Sequence, residues 1–197
     1  STRKESSAAS DVYKRQRLSG SKLVSEQRDW SCEGYIVSNV LFIMSGAVAT
    51  SLMPQWMLIF RQELAEVRFQ TVLTSSATSM VSTSALEATS GGAVYEETQN
   101  NGRCHYSPTL HMELAEWADV IAVVPATYNS IIKMSLGLAD NLALTIIAYA
   151  DCPIIVSPAV GVVPAASRIY REAKSKILQQ GITSVSYTHL RAHETSL

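Results

Sequence analysis

Charge is scarce in this sequence and nearly balanced: among 197 residues, 16 Lys and Arg stand against 17 Asp and Glu, a formal net charge of -1. No stretch gathers a sustained basic face, so the electrostatic footprint that nucleic acid or anionic lipid requires is missing, and neither is expected as a partner. Cysteine is equally sparse. Cys32, Cys104 and Cys152 are widely spaced, with no Cys-x-x-Cys and no His placed to complete a zinc site. That argues against a disulfide framework and against a bound metal, and a reducing cytoplasm is the expected location. No apolar run is long enough to span a bilayer, and the polar opening residues hold no signal-peptide core. What the chain does have is apolar mass: 47% of its residues are hydrophobic, enough for one sizeable core.

Both ends differ from the middle. Up to about residue 30 the chain is rich in Ser, Lys and Arg without periodicity, and after Gly181 the apolar pattern dissolves. Asp11-Val-Tyr-Lys-Arg-Gln16 and the string from Val185 to Thr195 resemble translated adapter sequence. Residues 1–30 are therefore expected to be a disordered or non-native extension, and residues 184–197 a non-native tail. Residues 35–183 read as one domain.

Tyr35 to Met44 is a nearly continuous β-branched and apolar run, as in a strand covered on both faces. Ser45-Gly46-Ala47 breaks it, and Thr50 to Phe60 follows as a helix in which Pro54 is tolerable only in the first turn. Glu66 to Thr74 is a second strand, leading through Ser75-Ser76 into a helical stretch with Met80, Val81 and Leu86. Ser90 to Leu110 carries Gly91-Gly92, Asn100-Asn101-Gly102 and Pro108 and reads as a long surface loop. Met112 to Ala118 is a short helix and Asp119 to Val124 a strand. Asn129 to Leu138 is a helix that Asn141 to Ala150 extends or restarts. Pro153 to Ser157 is a further strand, and Ala165 to Gln180 an amphipathic helix closed by Gly181. Strands alternating with helices predict an α/β fold, a doubly wound and mostly parallel sheet in three layers, flavodoxin-like or Rossmann-like.

In such sheets ligands sit outside the carboxyl ends of the strands. The residues at those ends are Ser45-Gly46-Ala47, Thr74-Ser75-Ser76, Pro125 to Ser130, and Ser157-Pro158-Ala159. Small hydroxylated residues and open N–H groups at helix starts suit a phosphate. The same residues also serve as ordinary helix caps, which is the plain alternative for any one loop.

Three runs in order, His111-Met-Glu-Leu-Ala-Glu-Trp-Ala-Asp119, Pro125-Ala-Thr-Tyr-Asn-Ser130 and Gly137-Leu-Ala-Asp-Asn141, resemble the homo-oligomeric flavin-containing cysteine decarboxylases over roughly Val40 to Gln180. That family includes phosphopantothenoylcysteine decarboxylase and the lantibiotic peptidyl-cysteine decarboxylases. Its Pro-Ala-Ser-Ala-Asn-Thr box is matched with the hydroxyls kept at Thr127 and Ser130 and the amide at Asn129. The resemblance implies FMN, with its phosphate held by Ser45, Gly46 and Thr74. It places Ala47, Ser75, Met80, Thr127, Tyr128, Asn129, Ser130 and Ala159 around the rest of the cofactor, and His111 as the catalytic histidine. It further implies a homotrimer or a trimer-based dodecamer.

The implied chemistry is oxidation of a cysteine thiol to a thioaldehyde, with FMN as hydride acceptor, then loss of carbon dioxide to leave an enethiol. A histidine titrating near neutrality handles the thiol or carboxylate proton. One departure falls in the substrate loop, Pro158-Ala159-Val160-Gly161, where the family has Pro-x-Met-Asn. Asn129, Val160 and Gly161 are then the substrate-side residues, without the carboxamide at the last. The expected substrate is a Cys-ended peptide. The alternatives are phosphopantothenoylcysteine, as in coenzyme A biosynthesis, and an FMN-binding homo-oligomer without turnover.

Overall fold

The computed structural model describes residues 37–97 and 108–185. All of them belong to one compact unit, Cys32–Leu197. The expectations for residues 1–30 and for the tail beyond residue 185 lie outside the described residues, as do Cys32, Cys104 and His105.

The apolar run beginning near Tyr35 forms strand β1, Asn39–Met44. Its side chains alternate between two cores: Leu41 and Ile43 lie in one, Phe42 and Met44 in the other. A strand with no polar face has to be covered twice, and a three-layer arrangement is the solution found. A 3₁₀ turn at Val48–Leu52 leads into α1, Met53–Glu63, with Pro54 in its first turn. Strand β2, Arg68–Leu73, and helix α2, Thr83–Ser90, follow. Both helices pack on the Phe42 face through Met53, Met57 and Leu86.

The next strand, β3 at Val94–Glu96, corrects the reading of Ser90 to Leu110 as loop alone. Gly91 takes a left-handed φ of 70° to close α2. At Gly92 a Cβ would lie 1.7 Å from the Phe69 carbonyl oxygen. The two glycines that read as loop punctuation thus let the chain turn and lie directly against β2.

Beyond it come α3, Leu110–Trp117, β4, Val120–Ala126, α4, Tyr128–Ser135, α5, Leu142–Tyr149, and β5, Ile154–Pro158. A single turn, α6, Val162–Ala165, precedes α7, Arg168–Gln179, and a two-residue strand β6, Thr183–Ser184. Helices α3, α4, α5 and α7 cover the Leu41 face. Gly181, at φ 86°, follows the last turn of α7 as the sequence suggests.

The six strands form one sheet in the order β3-β2-β1-β4-β5-β6, and every pairing is parallel. This is the Rossmann-type order, whose direction reverses between β1 and β4. Asp119 ties the start of that seam, its Oδ2 accepting the N–H groups of Ser38 and Asn39 at 2.9 Å each. The functional crevice is expected at the opposite end. Among the described residues no helix is long and apolar enough to cross a membrane.

Candidate flavin site at the switch point

Ser45, the first residue past β1, is 3% exposed. Its hydroxyl donates to the Pro125 carbonyl at 2.7 Å and accepts the Thr127 N–H at 2.8 Å, while its own N–H donates to the same carbonyl. One buried side chain thereby joins the ends of β1 and β4, which is a structural use of a residue expected to hold phosphate. The Val124–Pro125 peptide is cis, and the pairing of β4 with β5 shifts between Val123 and Ala126.

Gly46 brings the next loop in. A Cβ there would lie 2.3 Å from that of Ser76, so only glycine lets the turns after β1 and β2 touch. The second turn is held by Thr74, whose N–H donates to the Met44 carbonyl and whose carbonyl accepts from Ala77 and Thr78.

Between these turns and the starts of α4 and α5 lies a cavity of about 210 Å³. Hydroxyls from Ser45, Thr74, Ser75, Ser76, Thr127 and Ser130 line one part, and Ile43, Val123, Met134, Leu144 and Ile147 give it an apolar floor. Thr127 caps α4, its Oγ1 accepting the Ser130 N–H at 3.2 Å. Asn141 caps α5 by accepting from the Leu144 N–H at 2.8 Å. Asn129 and Ser130 in the first turn of α4, and Ala143 and Leu144 in that of α5, border the cavity. Two helix N-termini, with their open N–H groups and positive partial charge, therefore meet there.

The site already binds a carboxylate from its own chain. Glu97 Oε2 accepts from both the N–H and the hydroxyl of Ser75, each at 3.0 Å. Lys133, also in the wall, pairs with Asp140 at 2.6 Å. Apolar floor, hydroxyl rim and a turn that donates to an anion fit a flavin with a phosphate tail. The volume is below the roughly 300–1,000 Å³ of a complete ligand pocket, so these residues enclose only part of such a ligand.

Of the expected residues, Ser45, Thr74, Ser75, Thr127, Asn129 and Ser130 meet at the cavity, with Gly46 shaping its wall. Others do not line it. Tyr128 turns toward α7 and stacks on Tyr170, with centroids 5.8 Å apart. Met80 is exposed ahead of α2, and Ala47 is buried under the first turn. Ala159 is anchored by its N–H to the Ala126 carbonyl, Val160 is half-buried, and Gly161 is exposed. A Cβ on Gly161 would meet only Pro164, at 3.7 Å, so nothing in the backbone excludes a side chain there.

His111, in the first turn of α3, packs edge-on against Tyr149, centroids 5.0 Å apart. Tyr149 lies two residues, about 200° around the helix, beyond the cavity-lining Ile147. His111 therefore sits on the side of α5 turned away from this cavity.

Glu97 and Lys133 escaped the sequence reading. Glu97 fell inside the presumed loop, and nothing in the helical pattern of Asn129 to Leu138 singled out Lys133. Cys152 is no candidate nucleophile: burial pushes its thiol up to about 11, and the charges of Asp119 and Asp151 add to the shift, so it stays protonated at neutral pH.

The parallel sheet order with a crevice at its switch point defines a doubly wound α/β protein, and comparison with known proteins narrows the class. The profile of the Flavoprotein family matches residues 34–193, and the chain belongs to that family, as the resemblance around Pro125 to Ser130 implies. Among curated proteins it is 33% identical over 124 residues to the coenzyme A biosynthesis bifunctional protein CoaBC of Bacillus subtilis, covering 63% of this chain and 30% of that one. The chain spans about a third of the length of the curated relatives it matches. Among solved structures, the FMN-dependent cysteine decarboxylase SpaF superposes with a TM-score of 0.68 at 21% identity, covering 76% of this chain and 83% of that one; this likeness speaks for the fold alone. A PPC decarboxylase mutant complexed with pantothenoylaminoethenethiol superposes with a TM-score of 0.63 at 26% identity, covering 76% and 82%.

Proposed function

We propose that this chain is a cytoplasmic FMN-dependent oxidative decarboxylase that acts on the C-terminal cysteine of a ribosomal precursor peptide and releases an enethiol. The observation that carries the reading is the cavity at the β1–β4 switch point, where the starts of α4 and α5 meet two hydroxyl-rich turns. The turns around Gly46 and Thr74–Ser76 hold the phosphate, and Thr127, Asn129 and Ser130 border the ring system. When bound, FMN supplies the two-electron acceptor that makes a saturated cysteine carboxylate able to leave.

The protein residues bind, orient and move protons. His111 handles the proton of the substrate thiol or carboxylate, the task of a general acid or base. Because it faces away from the cavity of its own chain, it serves the cavity of a neighbouring copy. That agrees with a homotrimer or a trimer-based dodecamer, and with a cavity too small to enclose a flavin by itself. Asn129, which borders the cavity, serves both cofactor and substrate in this reading.

The test is direct. Flavin-loaded protein incubated with a Cys-ended peptide should give a product lighter by the elements of formic acid, seen by mass spectrometry. H111N should stop turnover and keep the yellow colour. If neither a peptide nor phosphopantothenoylcysteine is converted, the decarboxylase reading falls.

Two observations favour other readings. The relation to CoaBC favours phosphopantothenoylcysteine as substrate. The exposed Gly161, which offers no carboxamide, favours a flavin-binding homo-oligomer without turnover; yellow wild-type protein that stays inert with both substrates would establish it.

A further inference from the structure

The carboxylate of Glu97 occupies the anion seat of the cavity, and from this we infer that Glu97 is a built-in competitor of the cofactor phosphate that sets how strongly the apo-protein prefers FMN over riboflavin. The inference rests on the flavin reading above and adds a residue to it.

The geometry is that of a bound anion. Ser75 begins the turn after β2, and its N–H and hydroxyl both point to Glu97 Oε2 at 3.0 Å. Charge-assisted bonds of this kind are what a phosphate oxygen takes from such a turn. Glu97 comes from the residue just past β3, held in place by its own N–H to the Leu73 carbonyl at 2.9 Å. Its second oxygen, Oε1, is buried and has no hydrogen-bond partner among the described residues. The nearby cation does not neutralise it, because Lys133 pairs with Asp140. The carboxylate is thus held on one side and unsatisfied on the other, and a buried oxygen without a partner is unfavourable.

A phosphate entering beside Ser75 has to displace Glu97 or sit against its charge. Either lowers the affinity for a phosphorylated flavin and leaves riboflavin, which puts no anion there, little affected. Gln in place of Glu97 keeps the size and removes the negative charge that a phosphate meets beside Ser75.

The experiment measures Kd for FMN and for riboflavin by fluorescence quenching, using full-length wild type, E97Q and E97A, with circular dichroism as the check on folding. E97Q should bind FMN roughly tenfold more tightly with riboflavin changed by less than about twofold, and E97A should move in the same direction should E97Q fold poorly. Equal gains for both flavins would overturn the inference, because the effect would not then be read at the phosphate. Weaker FMN binding in the variants would overturn it too, making Glu97 a support for the cofactor. Failure of every protein to bind either flavin would overturn the flavin reading itself, and this inference with it.

Discussion

Ser45 shows how one residue type can satisfy two expectations with different physics. A serine after a strand at the ligand edge of a parallel sheet is what a phosphate site requires, and it is also what a buried seam requires. Here the hydroxyl is spent on Pro125 and Thr127. Replacing Ser45 with Ala leaves the Thr127 N–H and the Pro125 carbonyl with fewer partners in a buried place, at a cost of about 1–3 kcal/mol. The apo-protein should show that loss as a lower urea midpoint, before any cofactor is added; an unchanged midpoint would mean that the hydroxyl acts only on a ligand. The sequence marked the position and could not reveal the partners, because they lie 80 and 82 residues away along the chain.

At the scale of elements, legibility followed length and burial. Strands β1, β4 and β5 are largely apolar runs, which need no partner to be recognised, and β2 alternates before ending in the apolar Val72-Leu73. Strands β3 and β6 have three and two residues, too few for a period, and Glu96 in β3 looks like loop chemistry. Missing β3 concealed Glu97, since a residue assigned to a loop has no predicted place at the sheet edge. Helix α7 began later than read, at Arg168, because Ser167 caps it by accepting the Tyr170 N–H. The contact between the turns after β1 and β2 was likewise hidden, although Gly46 was its signal. G46A should separate these turns, lower the melting temperature through overpacking of about 1–3 kcal/mol, and weaken FMN binding roughly tenfold. Calorimetry and fluorescence titration read the two effects separately.

For the whole molecule, the placement of His111 on the far side of α5 makes each site in the proposed assembly a joint product of two copies. Mixing H111N with G46A is then a test of architecture. At limiting FMN, H111N alone should be nearly inactive and G46A roughly tenfold less active than wild type, and refolding them together should restore roughly a quarter of wild-type activity if sites form at random across a cyclic interface. No recovery on mixing would show that His111 works within its own chain or not at all. The sequence supplied the residue and the resemblance supplied its role. Its direction relative to the cavity depends on how α3 and α5 pack, which no local pattern encodes.

The central pairing of β1 with β4 also governs how the protein comes into being. The hydrogen bonds across this seam join residues 80 to 82 positions apart, and contacts of such separation slow folding. At synthesis rates of about 5–20 residues per second, roughly 4–16 s pass between the emergence of β1 and that of the strand beside it. During that interval β1 has an uncovered edge and no crevice exists. On the flavin reading, cofactor capture therefore waits until β4 and the two helices after it have emerged.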